Sequence, residues 1–199
     1  AVAKTMRRLY NQKLTTSSGG NVSARNKDGY VFITASQTDK SCIKCQQIIV
    51  FDTNLNNLTP ELKPSMEYNM HLEIYKQRSD VFAIVHSHPI YASTFAVTDI
   101  SLKSSLTGEA RFVLGEVAIT DYKLMGTTDL AIVCANSLEK SDVAIMKNHG
   151  AIAVGKNLFE AFDRMDVLEF TAQLNFNATM LKKCNCLNDS ELEQIDKLK

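Results

Sequence analysis

The sequence predicts a mixed α/β domain, an antiparallel or mixed sheet flanked by helices, and three observations carry that prediction. Short β-rich runs bounded by Asn, Asp and Gly fill residues 22–52. Two apolar runs, 143–146 and 151–154, flank the turn Lys147-Asn148-His149-Gly150, as in a hairpin. Residues 158–183 repeat apolar side chains at steps of three and four, the pattern of a helix with one buried face.

Along the chain, residues 2–14 carry Val2, Met6, Leu9 and Tyr10 at helical spacing. The small-residue run Ser17-Ser18-Gly19-Gly20-Asn21 follows, and then strands over 22–25, 30–34 and 48–52. Lys63-Pro64-Ser65 reads as a loop ending in a helix N-cap. The helix after it would reach Arg78, with Met66, Met70, Ile74 and Tyr75 turned inward. Residues 81–85 form a short apolar run ending at His86, a buried strand. Residues 90–97 look helical, 111–120 strand-like and 128–135 helical again. On the last long helix, Leu158, Phe162, Met165, Leu168, Ala172 and Phe176 mark the inner face.

No repeat, low-complexity tract or linker divides the 199 residues, so one domain over 1–199 is expected. Lys+Arg and Asp+Glu both number 22, and no basic tract stands out, which excludes a phosphate-backbone binder. No stretch approaches the ~20 apolar residues of a membrane span, and no apolar segment of a secretory signal follows the basic residues of AVAKTMRRLY. Five cysteines, an odd and scattered set, suggest reduced thiols in a cytoplasmic protein. Cys42 and Cys45 form C-x-x-C, and Cys184 and Cys186 form C-x-C; simple thiols are the plainer reading than a four-cysteine zinc site.

The histidines hold the most chemistry. His86 and His88, two apart at a strand end, point to the same face and can address one ion, with Pro89 stopping the strand. Alone, H-x-H is more often two unrelated polar residues, and a turn histidine such as His149 is as readily a solvent group. Together, three imidazoles with open positions around the ion make the ligand set of a catalytic zinc. Glu67, in the first turn of its helix, is the candidate carboxylate; helix-start electrostatics is its plainer role. His71, four residues on, is either a supporting partner of the site or an ordinary surface pair with Glu67, and the ordinary pair is preferred. Gly19-Gly20-Asn21, Ser36 and Ser65 offer N–H and hydroxyl groups for an anion.

The ordered set SGGNVSAR (18–25), ITAS (33–36), KPSxE (63–67), VHSHP (85–89) and KNHGAIAVG (147–155) resembles the class II aldolase/adducin family, over about residues 6–183. The resemblance implies a three-layer αβα fold with a mixed, mainly antiparallel sheet, and a homotetramer with active sites at subunit interfaces. It implies Zn2+ on His86, His88 and His149, with Glu67 as occasional fourth ligand and proton-transfer group. Positions matching Gly20, Asn21, Ser36, Gln37, Ser65 and Met66 would hold a sugar or sugar phosphate. The activity implied is retro-aldol cleavage of a ketose or ketose phosphate by a zinc-dependent aldehyde-lyase. A sugar-phosphate 4-epimerase, a dehydratase and a non-catalytic adducin-like oligomerisation module are the alternatives. Epimerases of the family carry Asp where Glu67 stands, which favours the lyase.

Four departures separate the chain from that pattern. The turn that normally reads Thr-Pro-Ser/Thr-Gly is Thr34-Ala35-Ser36-Gln37, and Pro-Ser-Ser-Glu has become Pro64-Ser65-Met66-Glu67. Thr107 and Met125 stand where the aldolases carry aromatic residues near the aldehyde, and the C-terminal tyrosine tail is missing before Lys199.

Overall fold

The computed structural model describes residues 1–182 and 184–198. Seven strands form a single sheet in the order β3-β2-β1-β4-β7-β6-β5. They are β1 (Asn21–Arg25), β2 (Val31–Thr34), β3 (Ile48–Phe51), β4 (Ala83–Ser87), β5 (Val117–Thr120), β6 (Val143–Met146) and β7 (Gly150–Gly155). Every neighbouring pair is antiparallel except β5–β6, which α5 (Thr128–Ser137) joins by a crossover.

Helices cover both faces, and strand alternation decides which residues meet which layer. Val22, Ala83, Val85, Val143, Ile145 and Ala153 pack beneath α1 (Val2–Asn11), α3 (Ile90–Ala96), α4 (Gly108–Leu114) and α6 (Leu158–Met180). Their neighbours Ile33, Ile49, Ile84, Ala144, Ile152 and Val154 face α2 (Tyr68–Gln77) and α5. The result is the three-layer αβα arrangement with a mainly antiparallel sheet. No helix among the described residues is long and apolar enough to cross a membrane.

Two expectations need correction, and the C-terminal part adds a helix boundary and a further helix. Residues 111–120 are not one strand: α4 takes Arg111–Leu114, capped by the Thr107 hydroxyl on the Ala110 N–H, and Gly115 at φ +63 ends it before β5. Local capping overrides the β-prone composition. The Ser65 helix starts only at Tyr68, with Glu67 as its N-cap, so Met66 lies in a turn and is 62% exposed instead of facing inward. The long helix ends at Met180, and its expected end, Lys183, lies outside the described residues, as does Lys199. A helix the sequence reading omitted, α7 (Asp189–Asp196), carries a capping box between Asn188 and Glu191 and docks through an Arg111–Asp196 ion pair.

Candidate metal centre

His86 belongs to β4, the middle strand of the sheet, and its side chain points toward the α2 layer with Ile84 and Ile152. It is fully buried. Its Nδ1 lies 2.9 Å from the Ala151 carbonyl of β7, so that nitrogen carries the proton and donates, leaving the Nε2 lone pair free for the centre. His88 follows just past the strand end, its Nε2 3.2 Å from that of His86. His149 enters from the β6–β7 turn, where Asn148 adopts φ +54 and its N–H binds the Ala96 carbonyl at the end of α3. The centroid of its ring lies 4.9 Å from that of His86 and 5.3 Å from that of His88. The three ligand nitrogens lie within 4.8 Å of one another, and among the described residues no other group of three His, Cys, Asp or Glu gathers this way.

Glu67 closes the ring of donors. Its Oε2 lies 3.1 Å from His86 Nε2, and its Oε1 lies 2.8 Å from His149 Nε2. Oε1 is buried, and apart from that ion-pair contact with His149 it has no hydrogen-bond partner. Burial raises the Glu67 pKa, but the charge of His86 and the contacts with His149 and His86 outweigh it and hold the carboxyl below the usual range. Burial lowers the His86 pKa, yet the facing Glu67 carboxylate raises it on balance. His88 goes the other way, pushed down to about 4 by burial and by the neighbouring His86 and His149. The donor set fits a divalent cation: three imidazole nitrogens gathered together, and one buried carboxylate oxygen that has no partner besides one of those imidazoles.

Two glycines let the backbone close around the centre. A Cβ on Gly20, at φ +67, would sit 2.6 Å from the His86 carbonyl. One on Gly150 would sit 2.5 Å from His88 Cδ2.

A cavity of about 420 Å³ opens beside these groups, with Glu67, His88 and His149 on one side and Gly20, Asn21, Ser36, Ser65 and Met66 on the other. Gln37 is exposed at φ +56 and lies outside that lining. Of the two residues at the aldehyde-site positions, Met125 lines the cavity, whereas Thr107 caps α4. Cys42, Cys45, Cys184 and Cys186 are exposed free thiols, and Cys134 is buried.

Sequence reasoning misplaced one residue of the site. His71 is not a surface partner of Glu67; it is fully buried and binds Asn21 and Ser23. Burial and the nearby His86 push its pKa down to about 3. The available sign was its spacing: His71 falls between the inward residues Met70 and Ile74.

The chain resembles known proteins in sequence and in fold. The sequence profile of the Class II Aldolase and Adducin N-terminal domain matches residues 1–176. The L-fuculose phosphate aldolase of Methanococcus maripaludis is 37% identical over 179 residues, 90% of this chain and 96% of that protein. The 5-deoxy-D-ribulose 1-phosphate aldolase of Bacillus thuringiensis is 29% identical over 192 residues, 96% of this chain and 90% of that one. A solved L-fuculose 1-phosphate aldolase matches with a TM-score of 0.91 at 32% identity, across 99% of this chain and 93% of that one. Profile, sequence and fold agree over nearly the whole length, and the chain belongs to the class II aldolase/adducin family.

Proposed function

We propose that the protein is a zinc-dependent aldehyde-lyase that cleaves a ketose phosphate by a retro-aldol reaction. One observation carries the reading: His86, His88, His149 and Glu67 converge on one point beside a cavity of sugar-phosphate size. The three imidazoles would hold the ion, with Glu67 as an occasional fourth ligand. When bound, zinc supplies Lewis-acid stabilisation of the negative charge that builds on the substrate's carbonyl oxygen as the carbon–carbon bond opens.

The protein's own groups do the rest. Glu67, as the carboxylate, takes the hydroxyl proton of the carbon that leaves as the aldehyde. It returns a proton to the carbon so released, which regenerates the carboxylate; the synthetic direction reverses both transfers. Its near-complete burial keeps bulk water out of both. The hydroxyls and N–H groups around Gly20, Asn21, Ser36 and Ser65 form the anion end, with Met66 on its rim and Gln37 setting the turn that presents Ser36. The reading extends to a homotetramer that completes each site with a neighbour, which the exposed Met125 of the cavity lining and the exposed Tyr122 and Leu124 just before it in the chain support.

The test is a zinc-loaded screen of phosphorylated and unphosphorylated ketoses for aldehyde release, with light scattering for assembly. Full turnover after chelation removes the zinc reading. Epimer interconversion without aldehyde means a 4-epimerase, and loss of water without cleavage means a dehydratase. No metal and no turnover leave an adducin-like assembly module.

A further inference from the structure

Behind the Glu67 carboxylate runs a line of buried polar side chains that starts at Asn21 in the cavity lining and continues through His71, Ser23 and Tyr75, which lie outside that lining. Asn21 and Ser23 stand two apart on β1 and face the α2 layer; Asn21 is in register with His86. His71 and Tyr75 stand four apart on α2 and face the sheet. A two-residue step on a strand and a four-residue step on a helix both span about 6–7 Å, so the two pairs meet. His71 Nε2 bonds Asn21 Oδ1, His71 Nδ1 lies 2.7 Å from Ser23 Oγ, and Ser23 Oγ lies 2.8 Å from the Tyr75 hydroxyl. Asn21, Ser23, His71 and Tyr75 are all buried.

The chemistry of each group gives the line a direction. Asn21 Nδ2 can only donate, and it faces Glu67 Oε2 at 2.9 Å and Ser65 Oγ at 3.0 Å. Its Oδ1 can only accept, so His71 must present Nε2–H. His71 Nδ1 must then accept from the Ser23 hydroxyl, whose oxygen accepts from Tyr75. Every donor in the line has an acceptor. A flipped Asn21 would set its carbonyl oxygen against the Glu67 carboxylate and break the bond to His71.

We propose that His71 is a positioning residue for catalysis: its Nε2–H locks the Asn21 carboxamide with the NH2 group toward Glu67 and Ser65, and so holds the carboxylate in its working orientation. The inference rests on Glu67 as the proton-transfer group, and it predicts that losing the lock changes turnover more than substrate affinity.

The first measurement needs no activity. Long-range 1H–15N correlation on histidine-labelled protein should give His71 as the neutral Nε2–H tautomer. An Nδ1–H tautomer or a charged ring overturns the proposal whatever the enzyme's substrate. The second is a kinetic series on metal-loaded enzyme. His71→Gln, whose amide nitrogen stands near the place of Nε2, should keep most of kcat. His71→Asn, which mimics only Nδ1, and His71→Phe should lose about 10–100-fold in kcat. KM should stay within a few-fold and the metal content unchanged. Equal kcat in the Gln, Asn and Phe variants, or a loss confined to KM, overturns the proposal. A wild type that releases no aldehyde fails the aldolase reading instead, and the tautomer result then decides the Asn21 lock alone.

Discussion

The floor and the rim of the cavity are built by opposite means. At the floor, His86, Asn21 and Glu67 are 0%, 2% and 9% exposed, and each sits on or directly beside a strand or helix whose other side chains fill the core. Strand register fixes Asn21 opposite His86, and a cross-strand carbonyl fixes the His86 tautomer. At the rim, Met66 and Met125 are 62% and 52% exposed, and just outside it, beside Ser36, Gln37 holds a left-handed backbone in an exposed turn. The chemistry is thus anchored in the core, whereas the groups that would meet the variable part of a substrate stand on turns whose side chains the core does not hold. Of the family-pattern departures, Met66 and Met125 fall at the rim, and Gln37 falls on the turn just outside it, next to Ser36.

Four experiments break or sharpen that division. The largest effect belongs to the floor: His149→Ala should lose the metal and, with several kcal/mol of Lewis-acid assistance gone, activity by roughly 1000-fold. Metal analysis beside an aldehyde-release assay reads both; activity that survives metal loss breaks the comparison at its base. Glu67→Gln should keep the fold and most of the metal but cost about 100-fold in kcat. A wild-type rate would reduce Glu67 to a helix-start charge.

The rim should answer differently. Gln37→Gly combined with Met66→Ser restores a close backbone approach and a hydroxyl donor, so KM for fuculose 1-phosphate should fall about tenfold while kcat stays near the wild-type value. An unchanged KM, with the wild type already efficient on that ester, would make both substitutions neutral.

The smallest effect lies just beneath the rim. Lys40 is buried, and its ammonium donates to the neutral Ala35 carbonyl and Thr38 hydroxyl. Burial lowers its pKa from 10.5 to about 8. Between those values the unfolded chain binds more protons than the folded one, so this residue's contribution to stability rises with pH across that window. Denaturant titrations at pH 7 and pH 10 should therefore show wild type gaining on Lys40→Met at the higher pH. No change in the gap would mean that the amine is not held in its charged-disfavouring site.

The features legible in the sequence were those with a local period or a tight motif. The hairpin around His149, the strand ending in His86 and the buried face of α6 from Phe162 to Ala172 follow from alternation and three-to-four spacing, and the structure has them; Phe176, expected on that face, is 40% exposed. The element over 111–120 failed because Arg111, Phe112, Val113 and Leu114 suit either state, and the deciding contacts were the Thr107 cap and the turn at Gly115. Met66 failed because a helix start cannot be placed to the residue from a serine alone; Ser65 accepts the Glu67 N–H at 3.3 Å without opening the helix. His71 was misjudged for a different reason. Its partners Asn21 and Ser23 lie 50 and 48 residues away, and only β1–β4 pairing beneath α2 brings them together.

The bond from His86 Nδ1 to the Ala151 carbonyl spans 65 positions of the chain. During synthesis the His86–His88 pair emerges long before His149 and that carbonyl exist. An ion that requires all three imidazoles can therefore be captured only after β4 has found β7. Strands can also pair out of step, and a slip of one residue turns His86 to the opposite face of the sheet. Such a misaligned chain would offer the ion an incomplete set. Mass action then favours correctly aligned molecules alone, because binding stabilises only the state that holds the ligand. Metal uptake by a refolding sample should accordingly lag behind sheet formation, and so serve as a proofreading step on strand alignment.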